Sequence, residues 1–147
     1  MAAKHYFSKD QESLLLEAIR AAEQNTSGEI RLHVESRCKL KDPRDRAAQV
    51  FEGLGMQKTA LRNGVLFYIS LDDHQFAILG DAGIDAHVPP GFWDNIKELM
   101  LGFFQKGEIV SGLIAGIAQA GLQLGKHFPY HAASDQNELS DDISYHH

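Results

Sequence analysis

Cysteine is almost absent: Cys38 is the only one, which excludes an internal disulfide and a thiolate-rich zinc or iron–sulfur centre. A lone cysteine reads as a small apolar core residue, not as a nucleophile. Positive charge is also scarce. Fourteen Lys and Arg stand against twenty Asp and Glu, a formal net charge of -6, which opposes general binding to nucleic-acid phosphates and docking on anionic membranes. Long apolar runs are missing as well. The most apolar segment, 109–125, contains Ser111, Gln119 and Gln123 and falls short of the ~20 residues that span a bilayer, so it reads as a buried helix with no membrane span. The first fifteen residues carry Lys4, Lys9, Asp10 and Glu12 in place of the continuous apolar stretch of a secretory signal. The cytoplasm is therefore the expected address.

What is present is ordinary globular composition. The 147 residues are 44% hydrophobic and 23% charged, enough for one domain with a real core. Ser8 and Gln11 form a capping-box pattern before Leu15, Ile19 and Ala22 at helical spacing. Thr26-Ser27-Gly28 breaks that helix. Residues 29–35 then alternate, with Ile30, Leu32 and Val34 on one face and Glu29, Arg31, His33 and Glu35 on the other, which predicts a half-exposed strand. Asp42-Pro43 starts a second helix with Ala47, Val50, Phe51 and Leu54 on its apolar side. Residues 65–69 are an unbroken apolar run, the pattern of a strand covered on both faces. A polar turn at Asp72-Asp73-His74 leads to a hairpin partner at 76–79, followed by a glycine- and proline-rich loop over 80–91. Phe92, Ile96, Met100 and Phe104 mark a third helix. Val110, Leu113, Ile117 and Leu124 mark a fourth, with Gly112, Gly116 and Ala120 at four-residue spacing for close packing. Residues 1–129 thus form the domain. Residues 130–147, with Asp135, Glu138, Asp141 and Asp142, read as a mobile polar, acidic tail.

These elements imply an α/β fold: a three-layer α-β-α sandwich with a small mixed sheet and helices on both faces. A strand–helix–strand unit leaves the first two strands parallel, and the hairpin reverses the third. The loop at Gly80 then lies at the rim where the first two strands begin. Glu29, Asp81 and Asp85 gather there, and Gly83 lets a backbone carbonyl turn inward. Carboxylates without histidine or cysteine suit a hard cation, calcium or magnesium. The plain alternative is that aspartates beside glycines are turn residues and that a strand-initial glutamate is solvated. The segment lacks the EF-hand pattern, and Gly80-x-x-Gly83 is no dinucleotide fingerprint. Ser27 and Ser70 have no nucleophile elbow. His33 reads as water-facing, and His74 sits in a turn at the opposite rim.

The runs 26–31 (Thr-Ser-Gly-Glu-Ile-Arg), 59–67 (Thr-Ala-Leu-Arg-Asn-Gly-Val-Leu-Phe) and 76–85 (Phe-Ala-Ile-Leu-Gly-Asp-Ala-Gly-Ile-Asp) together resemble the TPM domain, and the resemblance extends from the first helix to Pro129. It implies the same sandwich. Relatives in plants are linked to acid-phosphatase activity and photosystem repair, and bacterial relatives to calcium binding or membrane-anchored accessory roles; fold alone does not transfer any of these. The glycine-rich loop of the family often ends in glycine-leucine-glutamate, where this chain has Gly83-Ile84-Asp85.

Three functions stay open. The first is a cation-binding module using Asp81, Asp85, Glu29 and the backbone at Gly83. The second is a weak metal-dependent phosphatase in which Arg31 or Arg62 balances developing charge. The third is a module that binds another protein without chemistry, through the acidic tail and the small-residue helix.

Overall fold

The computed structural model of the chain describes residues 6–129 and 143–146. Helix α1 (Lys9–Glu23) opens with the full reciprocal capping box of Ser8 and Gln11 and buries Leu15, Ile19 and Ala22. Strand β1 (Glu29–Glu35) leads to α2 (Pro43–Gly53), which Asp42 caps by accepting from the Arg44 amide, with proline in its first turn. Strand β2 (Gly64–Ser70) is buried throughout and pairs parallel with β1 and antiparallel with β3 (Gln75–Gly80). A four-residue helix, α3 (Ala82–Asp85), occupies part of what reads in sequence as loop, with Asp81 as its cap. Helices α4 (Asp94–Gln105) and α5 (Ile109–Gly125) follow.

The sheet order is β3-β2-β1-β4, and β4 (Ile143–His146) runs parallel to β1 along its outer edge. The expected structureless tail therefore differs at its end: Ile143–His146 is a strand, opposite Leu32–Glu35. Residues 130–142 lie outside the described residues. The core divides between the faces of the sheet. Ile30, Leu32, Val34, Val65, Phe67 and Ile78 pack with the apolar faces of α1, α4 and α5, while Leu66, Tyr68 and Ala77 pack on the other side against Ala47, Val50 and Phe51 of α2.

The small residues of α5 serve packing within the chain. An added Cβ at Gly116 meets the Met100 Sδ at 2.3 Å, whereas one at Gly121 meets the Cα and carbonyl oxygen of Ala22 at 2.8 Å. Met100 is a flexible thioether that repacks; the α1 backbone is not. Gly121→Ala is therefore expected to destabilise by about 1–3 kcal/mol through overpacking. Gly116→Ala should cost less, because its clash is with the Met100 side chain, whose Cγ and Sδ lie 2.6 and 2.3 Å from the new Cβ and can shift by a rotamer change. The helix-propensity gain of about 1 kcal/mol is common to both variants. Urea unfolding of the two variants checks the order, and a larger loss for Gly116→Ala would show that α1 can slide along α5.

Candidate functional site

Strand direction decides which polar groups meet. Glu29, opening β1, lies opposite Gly64, opening β2, and Gly80, closing β3, lies opposite Val65. The rim is stitched by main-chain bonds from the Glu29 amide to the Asn63 carbonyl (2.9 Å) and from the Asp81 amide to the Gly64 carbonyl (2.9 Å). Asn63 Nδ2 donates to the Ser27 carbonyl at 2.6 Å. Thus Glu29, Arg62, Asp81 and Asp85 share one end of the sheet.

Within that rim the residues separate into two groups. Asp81 is buried, and its carboxylate accepts from Arg62 Nε (2.7 Å), Arg62 Nη2 (2.7 Å) and the Ala82 amide (2.7 Å). Arg62 holds this bidentate fork from a left-handed backbone conformation, φ +51°, which a non-glycine residue adopts only at an energetic cost. Its side chain is half exposed. One turn further on, Asp85 is exposed, yet its Oδ1 folds back toward the strand, 3.2 Å from where a Cβ on Gly80 would stand. Burial raises the Asp85 carboxyl above the ordinary carboxylate range, the charge of Arg44 pulls it down, and the charge of Asp81 adds to the rise. Glu29 is buried at the same rim but across β2 from Asp81, roughly 10 Å away at two strand spacings. Arg31 lies opposite Leu66 in mid-sheet, on the α2 side of the alternation, and its buried Nε finds no hydrogen-bond partner among the described residues. Among the described residues no three His, Cys, Asp or Glu side chains are grouped so as to hold a metal ion.

Gly83 is the tightest point. Its amide donates to the Arg62 carbonyl at 2.9 Å, and its own carbonyl accepts from His87 Nδ1 at 2.9 Å. A Cβ there would stand 2.1 Å from the Leu61 carbonyl oxygen and 2.6 Å from that of Arg62. The glycine lets α3 lie directly on the loop that carries Arg62, which brings Asp81 and Arg62 together.

Two cavities flank this turn. One, of about 320 Å³, is lined by Arg44, Asp85, Trp93, Asp94 and Lys97 among others. The second, of about 310 Å³, touches Phe51, Glu52, Gln57, Arg62 and Asp81. Arg44 and Lys97 carry no motif and are joined to Asp85 only by tertiary packing, so the sequence offers no signal for them.

At the opposite rim the alternation of β1 misleads. His33 and Glu35 are expected on a water-facing side, but they are 5% and 0% exposed, because the Arg46 side chain reaches over from α2 to Glu35, the Tyr68 ring stacks on His33 and β4 covers the edge. Glu35 accepts from Arg46 Nε (3.0 Å), Arg46 Nη2 (2.9 Å), His33 Nε2 (3.2 Å) and the Tyr68 hydroxyl. Burial alone would raise the Glu35 carboxyl, but the bonds from His33, Arg46 and Tyr68 outweigh it and bring it from 4.5 down to about 2. The Tyr68 phenol is pushed up by burial and by Glu35, so it stays a donor. A signal for this network exists: Arg46 stands four residues before Val50, on the sheet-facing side of α2.

An open mixed sheet with helices on both faces, ending at a rim of paired charges, defines a small α/β sandwich domain. The chain belongs to the TPM-domain family, whose sequence pattern matches residues 2–123. It is similar to the BA42 protein of the psychrophilic bacterium Bizionia argentinensis, with 40% identity, a TM-score of 0.90 and 97% of each chain covered. The N-terminal domain of a P. gingivalis protein shares the fold at 20% identity and a TM-score of 0.70, covering 86% of this chain and 83% of that one. So does the N-terminal domain of the Corynebacterium glutamicum cg2496 protein, at 13% identity and a TM-score of 0.62, covering 97% of this chain and 82% of that one. None of the curated proteins matches. Among the described residues no helix is long and apolar enough to cross a membrane.

Proposed function

We propose that this protein is a divalent-cation-binding module, for calcium or magnesium, at the rim formed by Asp81 and Asp85. The observation that carries the reading is the Asp81–Asp85 pair on one turn of α3. Asp85 feels the like charge of Asp81, and the cation now on Asp81 is the half-exposed Arg62 side chain. A hard cation relieves the first and substitutes for the second. Two carboxylates with a backbone carbonyl near Gly83 and coordinated water make a hydrated site of modest affinity, as magnesium and weak calcium sites are built. Glu29, across β2, acts through the field at the rim.

The test is a calcium titration into the purified protein, followed by amide shifts and thermal stability. Millimolar calcium is expected to move the amides of residues 80–91 and raise the melting temperature, and Asp85→Asn should remove both responses. No shift in that segment at millimolar calcium sets the reading aside.

One observation favours a second reading. Arg44 and Lys97 line the same cavity as Asp85, which suits a phosphate ester held by two cations beside a carboxyl that carries a proton more readily than usual. Hydrolysis of p-nitrophenyl phosphate should then fall at least tenfold in Asp85→Asn and in Arg44→Ala. Activity unchanged in both variants excludes this cavity as its source.

A further inference from the structure

We infer that the outer edge of β1 is a docking site for an extended C-terminal strand, filled here from within the chain and exchangeable with the same strand of a second copy. The edge reads its occupant through side chains as well as through the parallel ladder at Leu32–Glu35. Ser144 Oγ meets His33 Nδ1 at 2.7 Å, the Tyr145 hydroxyl bonds the Glu12 carboxylate, and the Tyr145 ring lies 6.5 Å from that of Tyr6. Ile143 and Tyr145 pack half-buried on the main core. Strand addition of this kind draws affinity from main-chain bonds and specificity from the alternate side chains.

Two features make β4 a guest. Every buried hydrophobic residue among those described lies between Phe7 and Leu124, so the core closes before β4 arrives. The connection is also far longer than it needs to be. The Phe128 carbonyl is pinned to the Ser27 amide (2.8 Å) and the Thr26 hydroxyl (2.6 Å) at the base of β1, and Ile143 lies opposite Leu32, about 17 Å further along at 3.3 Å per residue. Residues 130–142 can reach roughly 45 Å when extended. A strand on so long a tether can return to its own edge or cross to the edge of another copy, and reciprocal crossing gives a two-fold dimer without any new interface.

The experiment shortens the tether. Removing residues 131–141 leaves only Pro129, Tyr130 and Asp142 between Phe128 and Ile143, a reach of roughly 14 Å when extended, short of the ~17 Å that return to the same copy requires. Light scattering is expected to show the shortened chain at twice the mass of one copy, where one intact copy is 16.3 kDa. Mixed labelled and unlabelled copies should show contacts between Tyr145 of one and Val34 of the other. A monomer, with the strand docked or undocked, overturns the inference. Should the shortened chain fail to fold, the intact chain decides: a spin-labelled peptide of residues 140–147 at millimolar concentration is expected to broaden the amides of Leu32–Glu35. Unbroadened amides overturn it equally.

Discussion

Replacing Gly83 with alanine is expected to cost roughly 2–4 kcal/mol of folding stability, at the top of the range for overpacking and among the larger effects of a single methyl group. The reason is where the methyl would go. Its carbon would stand 2.1 Å from the Leu61 carbonyl oxygen and 2.6 Å from the Arg62 carbonyl oxygen, both backbone atoms that no rotamer change can move. Relief requires α3 to lift off the loop, which breaks the Gly83 amide to Arg62 carbonyl bond and carries Asp81 away from Arg62. The variant should therefore show two linked changes: a lowered urea midpoint, and shifted Arg62 Nε and Asp81 side-chain resonances. A Gly83→Ala protein with the stability of the parent and an unchanged Arg62 Nε resonance would mean that α3 does not rest on this loop. The same displacement separates Asp81 from its cation, so the variant also reports whether calcium can hold the turn without Arg62. A rise in the midpoint with millimolar calcium, smaller than the loss caused by the methyl group, is the outcome expected of a site of modest affinity.

Where the local pattern and the tertiary structure agree, the elements were legible residue by residue. Ser8 with Gln11 and Asp42 with Pro43 carry their own physical reasons for starting helices, and both caps form as read. The unbroken run in β2 announced burial on both faces, and β2 is buried at every position. The parallel and then antiparallel order followed from element sequence alone, and it places Glu29 and Asp81 at one rim. What failed did so for identifiable causes. The alternation of β1 matches a sheet with one wet face, and only the position of Arg46 on α2 shows that the polar face is covered and internally paired. Helix α3 is a single turn, too short to leave a period. Strand β4 is four residues after an acidic stretch, with pairing that exists only because β1 has an open edge. At the candidate site the fork between Arg62 and Asp81 depends on a positive φ at Arg62, a conformation no residue type at that position advertises. Asp85, Arg44 and Lys97 come from three elements.

Glu35→Ala is expected to cost about 3–5 kcal/mol, the scale for removing one partner from a buried ion pair. Arg46, His33 and Tyr68 all donate to this one carboxylate, and the Arg46 side chain is only 13% exposed, so truncation strands a buried cation and two polar donors together. The same network gives the protein an acid-sensitive component. The folded-state value of Glu35 is the lower one, about 2 against 4.5, so its stabilisation is complete above pH 4.5 and is lost as pH falls from there toward 2. The difference is on the order of 3 kcal/mol for one group. Glu35→Gln keeps the shape and removes the titrating charge. Its stability should therefore fall less steeply than that of the parent between pH 4.5 and 2 while lying below the parent at neutral pH. Urea unfolding of the two proteins across that window separates the contributions: parallel curves would show that Glu35 is not the group that carries the acid sensitivity. His33 connects this centre to Ser144, so loss of the Glu35 carboxylate should also loosen β4. In Glu35→Gln the amides of the Ile143–His146 strand are expected to exchange with solvent faster than the same amides of the parent protein, and unchanged rates there would show that the His33–Ser144 contact does not depend on Glu35.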